Sequence, residues 1–335
     1  MFENPVNCRI FAADKHLYRK PKNKIDMAKY INPFTDWGFK RLFGQEFSKG
    51  LPISFLNDLL EGELKVKDVT FHDKEQLAST KDLRGIIFDV YCTTDTGEHV
   101  IVEMQNRYQP FFINRSLYYG CRAITGQRKK SETLETPELY QLVPVYTICF
   151  MNFMPEEDEL NQLRTDVILA DRDTGKQISN KLRFVYLSLP YFKKTAEECE
   201  TNFEKWIYVL KHMEALDRMP FTATNKIFKE LAQYAASHNL TAEEQEKYDE
   251  SMKVVTDYYS GLVGSYMRGE KQGRADGMAE GMVKGMAKGM AEGLAKGRAE
   301  TRKTQIETAA RLRAMGLSDE QIAKATGLSQ EEMQH

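Results

Sequence analysis

Residues 88–105, with the sequence FDVYCTTDTGEHVIVEMQ, constrain the fold of this chain more than any other segment. Two runs rich in β-branched and aromatic residues flank the tripeptide DTG at 95–97, which favours a tight turn. The pattern predicts a β-hairpin. With the turn centred on Thr96, Asp89 lies directly opposite Glu103, and opposed Cβ atoms are roughly 4.5–5.5 Å apart. A shift of the turn by one residue would separate the two acids.

The hairpin gathers three polar side chains on one surface. Side chains alternate along a strand, so Glu103 and Gln105 point to the side that also carries Asp89. Two close carboxylates repel each other and lose hydration unless a cation or a proton lies between them. Mg²⁺ prefers such oxygen ligands together with water and substrate phosphate, a chemistry suited to phosphodiester hydrolysis. The spacing alone is equally compatible with two solvated acids on a polar hairpin face.

Several segments carry a family resemblance. Asp89, a hairpin and then Glu103, Met104 and Gln105 are similar to the PD-(D/E)XK nuclease core, in which an Asp on one strand and a Glu-x-Lys on the next build a metal site. Four ordered segments together resemble the Rpn family of recombination-promoting nucleases, also described as transposases: TDWGFKRLFG (35–44), FDVYC (88–92), IVEMQ (101–105) and RSLYY (115–119). The likeness runs from about residue 31 to beyond residue 260.

The resemblance implies a restriction-endonuclease-like α/β fold, with a mixed sheet flanked by helices, and metal-dependent cleavage of DNA. It implies that Asp89 and Glu103 bind the metal, with Mg²⁺ as the expected ion and Mn²⁺ as an alternative. Gln105 departs from the superfamily, which has Lys there, although the Rpn-like group commonly shows this Gln. An amide can orient water or phosphate by hydrogen bonding but carries no charge. The positive charge must therefore come from elsewhere.

Candidates for that charge follow the hairpin. Residues 113–128 read as a helix, on which Arg115, Tyr119 and Arg122 recur at i, i+4 and i+7 and form one stripe. Gln127 lies roughly a third of a turn off that stripe. The planar donor fork of Arg suits phosphate. The two arginines, together with Tyr119 and Gln127 on the same helix, are therefore candidates for substrate binding. A solvated helix face would show the same pattern.

Apolar residues between Asp36 and Leu60 predict two amphipathic helices that join near residues 44–50 and cover a sheet face. Asp36 is expected to cap the first helix; the alternative, implied by the resemblance, is an additional acid near the metal. Further strands are predicted at 141–153, 165–169 and 182–189, with a turn at 171–175, followed by a helical extension.

Composition limits the class of protein. The chain has 335 residues, 41% hydrophobic and 29% charged, which predicts a globular protein with one sizeable core. No apolar run reaches the roughly 18–20 residues that span a bilayer, and the first residues lack a signal-peptide pattern, so we expect a cytoplasmic protein without membrane contact. The cysteines and histidines show no disulfide or zinc-site spacing. With a net charge of −2, contact with DNA requires local basic patches, such as residues 15–24 or 128–130.

A glycine repeat distinguishes the C-terminal region. Glycine recurs at every fourth position from Gly269 to Gly297, separated mostly by Met, Ala, Glu and Lys. Each glycine costs roughly 0.8–1.0 kcal/mol relative to Ala in a helix. Close pairing of two helices would offset this cost, so the repeat is either a self-association element that forms a homo-oligomer or a semi-flexible spacer.

The tail has capping-box patterns at Ser318 and Ser329, with spacing similar to a helix-turn-helix. Its last helix is short and acidic, which favours a packing or interaction element over DNA readout. We divide the chain into a basic arm (1–30), a nuclease-like domain (31–194), a helical extension (195–265), the repeat (266–300) and a small helical tail (301–335).

The sequence and its resemblance together predict a metal-dependent DNA endonuclease. The alternative is a catalytically inactive nuclease-fold protein that binds DNA or assembles through the repeat and the tail. Fold alone does not separate the two, because activity depends on the site.

Overall fold

The structure, a computed structural model, describes residues 28–72, 89–127, 141–155, 160–329 and 331–332. The two predicted basic patches (15–24 and 128–130) and the hairpin residues up to 88 lie outside these ranges. Within the described residues six strands form one sheet: β1 (Val69–Phe71), β2 (Val90–Thr94), β3 (His99–Gln105), β4 (Val145–Met151), β5 (Arg164–Ala170) and β6 (Gln177–Ser188). Their order is β1-β2-β3-β4-β6-β5.

The sheet is mixed. β3 pairs in parallel with β4, and β4 with β6, whereas the pairs β1–β2, β2–β3 and β5–β6 are antiparallel. The described helices are α1 (Asp36–Phe43), α2 (Gly50–Leu59), α3 (Phe112–Gly126), α4 (Asn202–His212), α5 (Lys226–Ala235), α6 (Ala242–Ala314) and α7 (Asp319–Thr326). This mixed sheet with flanking helices confirms the predicted α/β fold class.

The hairpin has the predicted register. Val90 of β2 lies opposite Val102 of β3, and Thr93 lies opposite His99, as expected for a turn centred on Thr96. The turn closes through Gly97, whose φ of +98° is accessible to glycine at no steric cost. Counting back one residue from Val90 places Asp89 opposite Glu103.

One face of the sheet carries the main core. Val100, Val102 and Met104 of β3 belong to the same buried cluster as apolar residues of α1, α2, α4 and α5. Aromatic rings dominate its centre, where Phe43 and Phe55 lie 5.8 Å apart between centroids and Phe55 and Phe150 lie 5.1 Å apart. The two predicted helices between residues 36 and 60 are confirmed as α1 and α2, joined by a short 3₁₀ turn at Glu46–Ser48.

Helix α3 covers the opposite face. Its Ala123 packs with Ile101 and Val145, while Phe112 packs with Cys149 and Met151. Gly120 allows this close approach, because an added Cβ would lie 2.9 Å from the Phe184 ring. The predicted helix at 113–128 is thus confirmed, and the alternating residues of β3 are divided between a core face and an α3 face.

Two details of the prediction change. The apolar run at 141–153 is central and buried as expected, but its strand is only Val145–Met151, because Pro144 before it has no backbone N–H to donate. The expected cap of α1 is wrong by one residue. Thr35 has the extended backbone of an N-cap, and its Oγ1 accepts a hydrogen bond from the Gly38 N–H at 3.0 Å. Asp36 is the first residue inside the helix.

The chain divides into two compact units, Met1–Val255 and Thr256–His335. In the second unit α7 packs on the end of α6 through Ala309, Ile322 and Leu328. Both predicted capping boxes are confirmed, since the side chain and backbone of Ser318 bond reciprocally with Gln321, and those of Ser329 with Glu332. Among the described residues no helix has an apolar stretch long enough to cross a membrane.

Candidate metal centre

The two predicted acids meet where the hairpin ladder ends. The Met104 N–H donates to Asp89 Oδ2 at 2.7 Å, and the Asp89 N–H donates to Glu103 Oε1 at 3.3 Å. Each carboxylate therefore bonds to the backbone of the opposite strand. This reciprocal arrangement holds both acids on the α3 face of the sheet, as the register requires.

Glu103 is an acid in an apolar setting. Its side chain is buried, with the residue only 3% exposed. Burial is the main cause that raises the pKa of Glu103 to about 8, and the charge of Asp89 raises it further. Arg115, the Asp89 backbone N–H and Lys40 act in the opposite direction. A bound cation would favour the ionised form of this carboxylate.

Among the described residues Arg115 is the largest of the influences that lower the pKa of Glu103. Its Nη1 donates to Gln109 Oε1, and its guanidinium lies 5.3 Å from the Phe112 ring centroid and 5.9 Å from that of Tyr119. Its Nε and Nη2 atoms are buried and have no hydrogen-bond partner among the described residues. Buried donors without a partner are unfavourable, so these two N–H groups are well suited to receive an anion such as phosphate.

Tyr119 lies beside the acid pair. Burial raises the pKa of its hydroxyl, and the charges of Glu103 and Asp89 raise it as well. Arg122 continues the stripe two turns beyond Arg115, roughly 10 Å further along the helix axis. Thus α3 brings Arg115 and Tyr119 close to the acids, whereas Arg122 lies further from them along the helix.

The structure does not bring Gln127 to the site. Its amide bonds twice to the backbone of Val143, donating from Nε2 at 3.1 Å and accepting at Oε1 at 2.9 Å. Twelve residues of helix separate it from Arg115, which corresponds to roughly 18 Å along the axis. Gln127 holds the far end of α3 to the chain that enters β4.

Gln105 lies two residues beyond Glu103 on the same face of β3 and opposite Met151 of β4. Its backbone carbonyl accepts a hydrogen bond from the Asn152 N–H at 2.9 Å, which fixes this end of the strand. The side chain is partly exposed. Gln105 thus lies at the end of β3, on the same face as Glu103 and partly exposed.

Two residues near the site were not anticipated. Lys40 on α1 lowers the pKa of Glu103 and forms an ion pair with Asp36, whose side chain is 64% exposed. Cys149 is buried opposite Glu103 on β4, and burial raises the pKa of its thiol well above the usual value. Lys40 lies within the 35–44 segment that resembles the family, but no spacing rule connects α1 to β3.

The donor set fits a hard divalent cation. Asp89 and Glu103 offer carboxylate oxygens and Gln105 an amide oxygen, the ligand types that Mg²⁺ takes together with water. Among the described residues no group of three or more His, Cys, Asp or Glu side chains is arranged to hold a metal.

A family model described as PD-(D/E)XK nuclease family transposase matches residues 33–265, more than half of the 335-residue chain. The chain belongs to this family. No curated protein and no solved structure matches it. The match confirms the resemblance seen in the sequence, and the matched region includes the hairpin, α3 and the acid pair.

Proposed function

We propose that this protein is a Mg²⁺-dependent DNA endonuclease that hydrolyses phosphodiester bonds. The observation that carries the proposal is that the Asp89 and Glu103 carboxylates each bond to the backbone of the opposite strand, while the half-buried Arg115 has two buried N–H groups without a hydrogen-bond partner among the described residues. A bound divalent cation would supply an activated water and stabilise the leaving oxygen. Membership of the PD-(D/E)XK family supports DNA as the substrate.

Each side chain has a proposed role. Asp89 and Glu103 hold the cation through their carboxylates, and Gln105 orients water or phosphate by hydrogen bonding. Arg115 donates Nε and Nη2 to a phosphate oxygen, and Tyr119 lies beside the same acid pair. These donors act in a buried setting, where charge interactions are stronger than in water.

Because Gln105 is uncharged, the positive charge at this site must come from other residues, and Arg115 and Lys40 are the candidates. Both charges act on Glu103, one from α3 and the other from α1. We propose that they replace the lysine charge that the superfamily pattern places at position 105. The Gln105 amide then has only to orient the water or the phosphate to which it is hydrogen-bonded.

Cleavage of supercoiled plasmid tests the proposal. The full-length protein is incubated at pH 8 with Mg²⁺, Mn²⁺ or EDTA, with supercoiled, linear and single-stranded DNA as substrates. Nicking with Mg²⁺ that EDTA abolishes and that Asp89→Asn reduces by at least about 100-fold is the expected result. The control is Asp173→Asn, which removes an exposed acid in the β5–β6 turn. Absence of cleavage of every DNA form by the wild type, or equal cleavage by all variants, would contradict the proposal.

We further propose that the repeat pairs with a second copy of the chain. Within α6 the glycines form one row at every fourth residue, and exposed apolar side chains form the adjacent row: Met278, Met282, Met286, Met290 and Leu294, which are 56–81% exposed. Rows of this spacing interdigitate when helices cross at about −50°. The apolar row of one copy would then fill the glycine groove of the other.

A further inference from the structure

Phe111 has two properties that folding does not explain. Its ring is 78% exposed, and its backbone has a φ of +64°, in the left-handed region that bulky residues avoid. The other described non-glycine residue with positive φ, Phe221, packs its ring 5.5 Å from that of Phe228 in the core. Among the described residues no ring contact of Phe111 offsets its strained backbone, and strain of this kind is typical of functional sites.

Phe111 stands one helical turn from the proposed site. It precedes the first residue of α3, and its carbonyl accepts a hydrogen bond from the Arg115 N–H at 2.9 Å. This hydrogen bond holds the backbone of Phe111 against the first turn of the helix that carries Arg115. The next residue, Phe112, turns inward beneath the Arg115 guanidinium, so that the ring of Phe111 is left facing solvent.

The surroundings favour a polyanion. From Asn106 to Gln127 the sequence contains three arginines, at 107, 115 and 122, and no aspartate or glutamate. An exposed aromatic ring next to a cation with unused donors matches the alternation of base and phosphate along a DNA strand. An apolar wedge of this kind also opens base steps in other DNA-binding proteins.

We propose that Phe111 stacks on a nucleobase of the strand whose phosphate binds Arg115, and that it thereby selects DNA in which this base is unpaired. The inference rests on the proposed cleavage of DNA and names a specificity-determining residue for it. Stacking requires the π face of the ring and not merely its bulk. A paired base within an intact duplex does not expose its face to the ring.

The test uses the full-length protein in EDTA, so that binding is measured without cleavage. The probes are a paired duplex and a duplex with one unpaired 2-aminopurine, read by anisotropy and by 2-aminopurine fluorescence. Phe111→Ala is expected to weaken binding to the unpaired-base duplex by about tenfold and to abolish quenching, while binding to the paired duplex stays the same. Phe111→Trp retains both signals. Phe111→Leu, which keeps bulk but lacks a π face, behaves like Phe111→Ala.

Leu117→Ala is the matched control, because Leu117 is 47% exposed and lies two residues beyond Arg115, about 200° around the helix. It should bind both probes like the wild type. Equal affinity of wild type and Phe111→Ala for the unpaired-base duplex overturns the proposal. The proposal is also overturned if Phe111→Leu keeps the wild-type affinity and quenching with the unpaired-base duplex. It is overturned as well if Phe111→Ala loses binding to both duplexes equally.

A stability measurement separates a functional role from a structural one. Asn is tolerated in the left-handed region and is a good N-cap, so Phe111→Asn should raise the melting temperature by about 2–4 °C while it loses quenching. A lowered melting temperature would show that Phe111 supports the fold and would overturn the proposal. A wild-type protein that nicks plasmid but does not quench 2-aminopurine would overturn stacking and leave the nuclease proposal standing. A wild-type protein that quenches 2-aminopurine but nicks no DNA would overturn the nuclease proposal and leave stacking standing.

Discussion

At the scale of single residues, the site combines the buried acid Glu103 with a second acid, Asp89, and the half-buried guanidinium of Arg115. The Asp89 backbone N–H donates a hydrogen bond to the Glu103 carboxylate, which lowers the pKa of Glu103. Burial and the charge of Asp89 act more strongly in the opposite direction and raise this pKa to about 8. The carboxyl group is therefore largely protonated at neutral pH. A cation can bind there only when this proton leaves, which links metal affinity to pH.

Metal affinity should consequently rise with pH. Below pH 8 one proton leaves Glu103 for each cation bound, so the Mg²⁺ association constant should increase about tenfold per pH unit between pH 6 and 8 and level off above that range. Calorimetric titration at several pH values measures this slope, and Asp173→Asn should preserve it. An affinity that does not change between pH 6 and 8 would contradict the assigned role of Glu103.

The metal-free protein should show the opposite trend in stability. The folded pKa of Glu103, about 8, lies above its unfolded value of 4.5, so the native state binds more protons between these values. The free energy of unfolding should fall as pH rises from about 4.5 to about 8. Urea unfolding in EDTA at pH 5, 6.5 and 8 measures it. Glu103→Gln should flatten the dependence, and an unchanged slope in that variant would refute the assignment.

The sequence predicts the acid pair because counting outward from a turn fixes which residues face each other. It does not predict Lys40 or Cys149, since their approach to Glu103 depends on how α1 and β4 pack against β3. Helical periodicity gives the angle of Gln127 around α3 but not its distance along the axis from the site. The cap of α1 differs by one residue because both Thr35 and Asp36 are good capping residues.

At the scale of elements, the two ends of α3 have different surroundings. Its first two turns carry Arg115 and Tyr119 beside the acids, whereas Gln127 fastens its last turn to Val143. The parallel pairing of β3 with β4 requires a crossover between them, and α3 lies in that connection. The sequence reveals these strands and this helix, but their order in the sheet depends on long-range pairing.

Gln127→Ala should therefore affect stability and not chemistry. Loss of both bonds to Val143 should lower the free energy of unfolding by about 1–3 kcal/mol, while the rate of plasmid nicking at saturating DNA stays unchanged. Urea unfolding and nicking assays measure the two effects. Thr125→Ala, at an exposed position of the same helix end, serves as control. Slower nicking with unchanged stability would instead place Gln127 in the site.

At the scale of the whole molecule, two compact units are encoded by different kinds of pattern. The first unit follows from strand and helix periodicities around a mixed sheet, and the second from a four-residue repeat and two capping boxes. The repeat alone predicts either self-association or a spacer. The exposed apolar row in α6 is the observation that favours self-association.

Charges placed in this row should separate the copies. Met282→Glu combined with Met286→Glu keeps helix propensity nearly constant but would bury two like charges in each paired helix. Light scattering of the full-length protein should show an oligomer for the wild type and a monomer for the double variant. Met315→Glu changes an exposed methionine outside the repeat and should leave the oligomer intact. A monomeric wild type would support the spacer interpretation.

Asp89 and Glu103 are proposed to form the metal site of a DNA-cleaving enzyme. The single-turnover rate of plasmid nicking at pH 8 and saturating Mg²⁺, measured for wild type, Glu103→Gln, Asp89→Asn and Asp173→Asn, tests this proposal. We predict rates at least about 100-fold lower for the two site variants and an unchanged rate for Asp173→Asn. Equal rates for wild type and both site variants would contradict the claim.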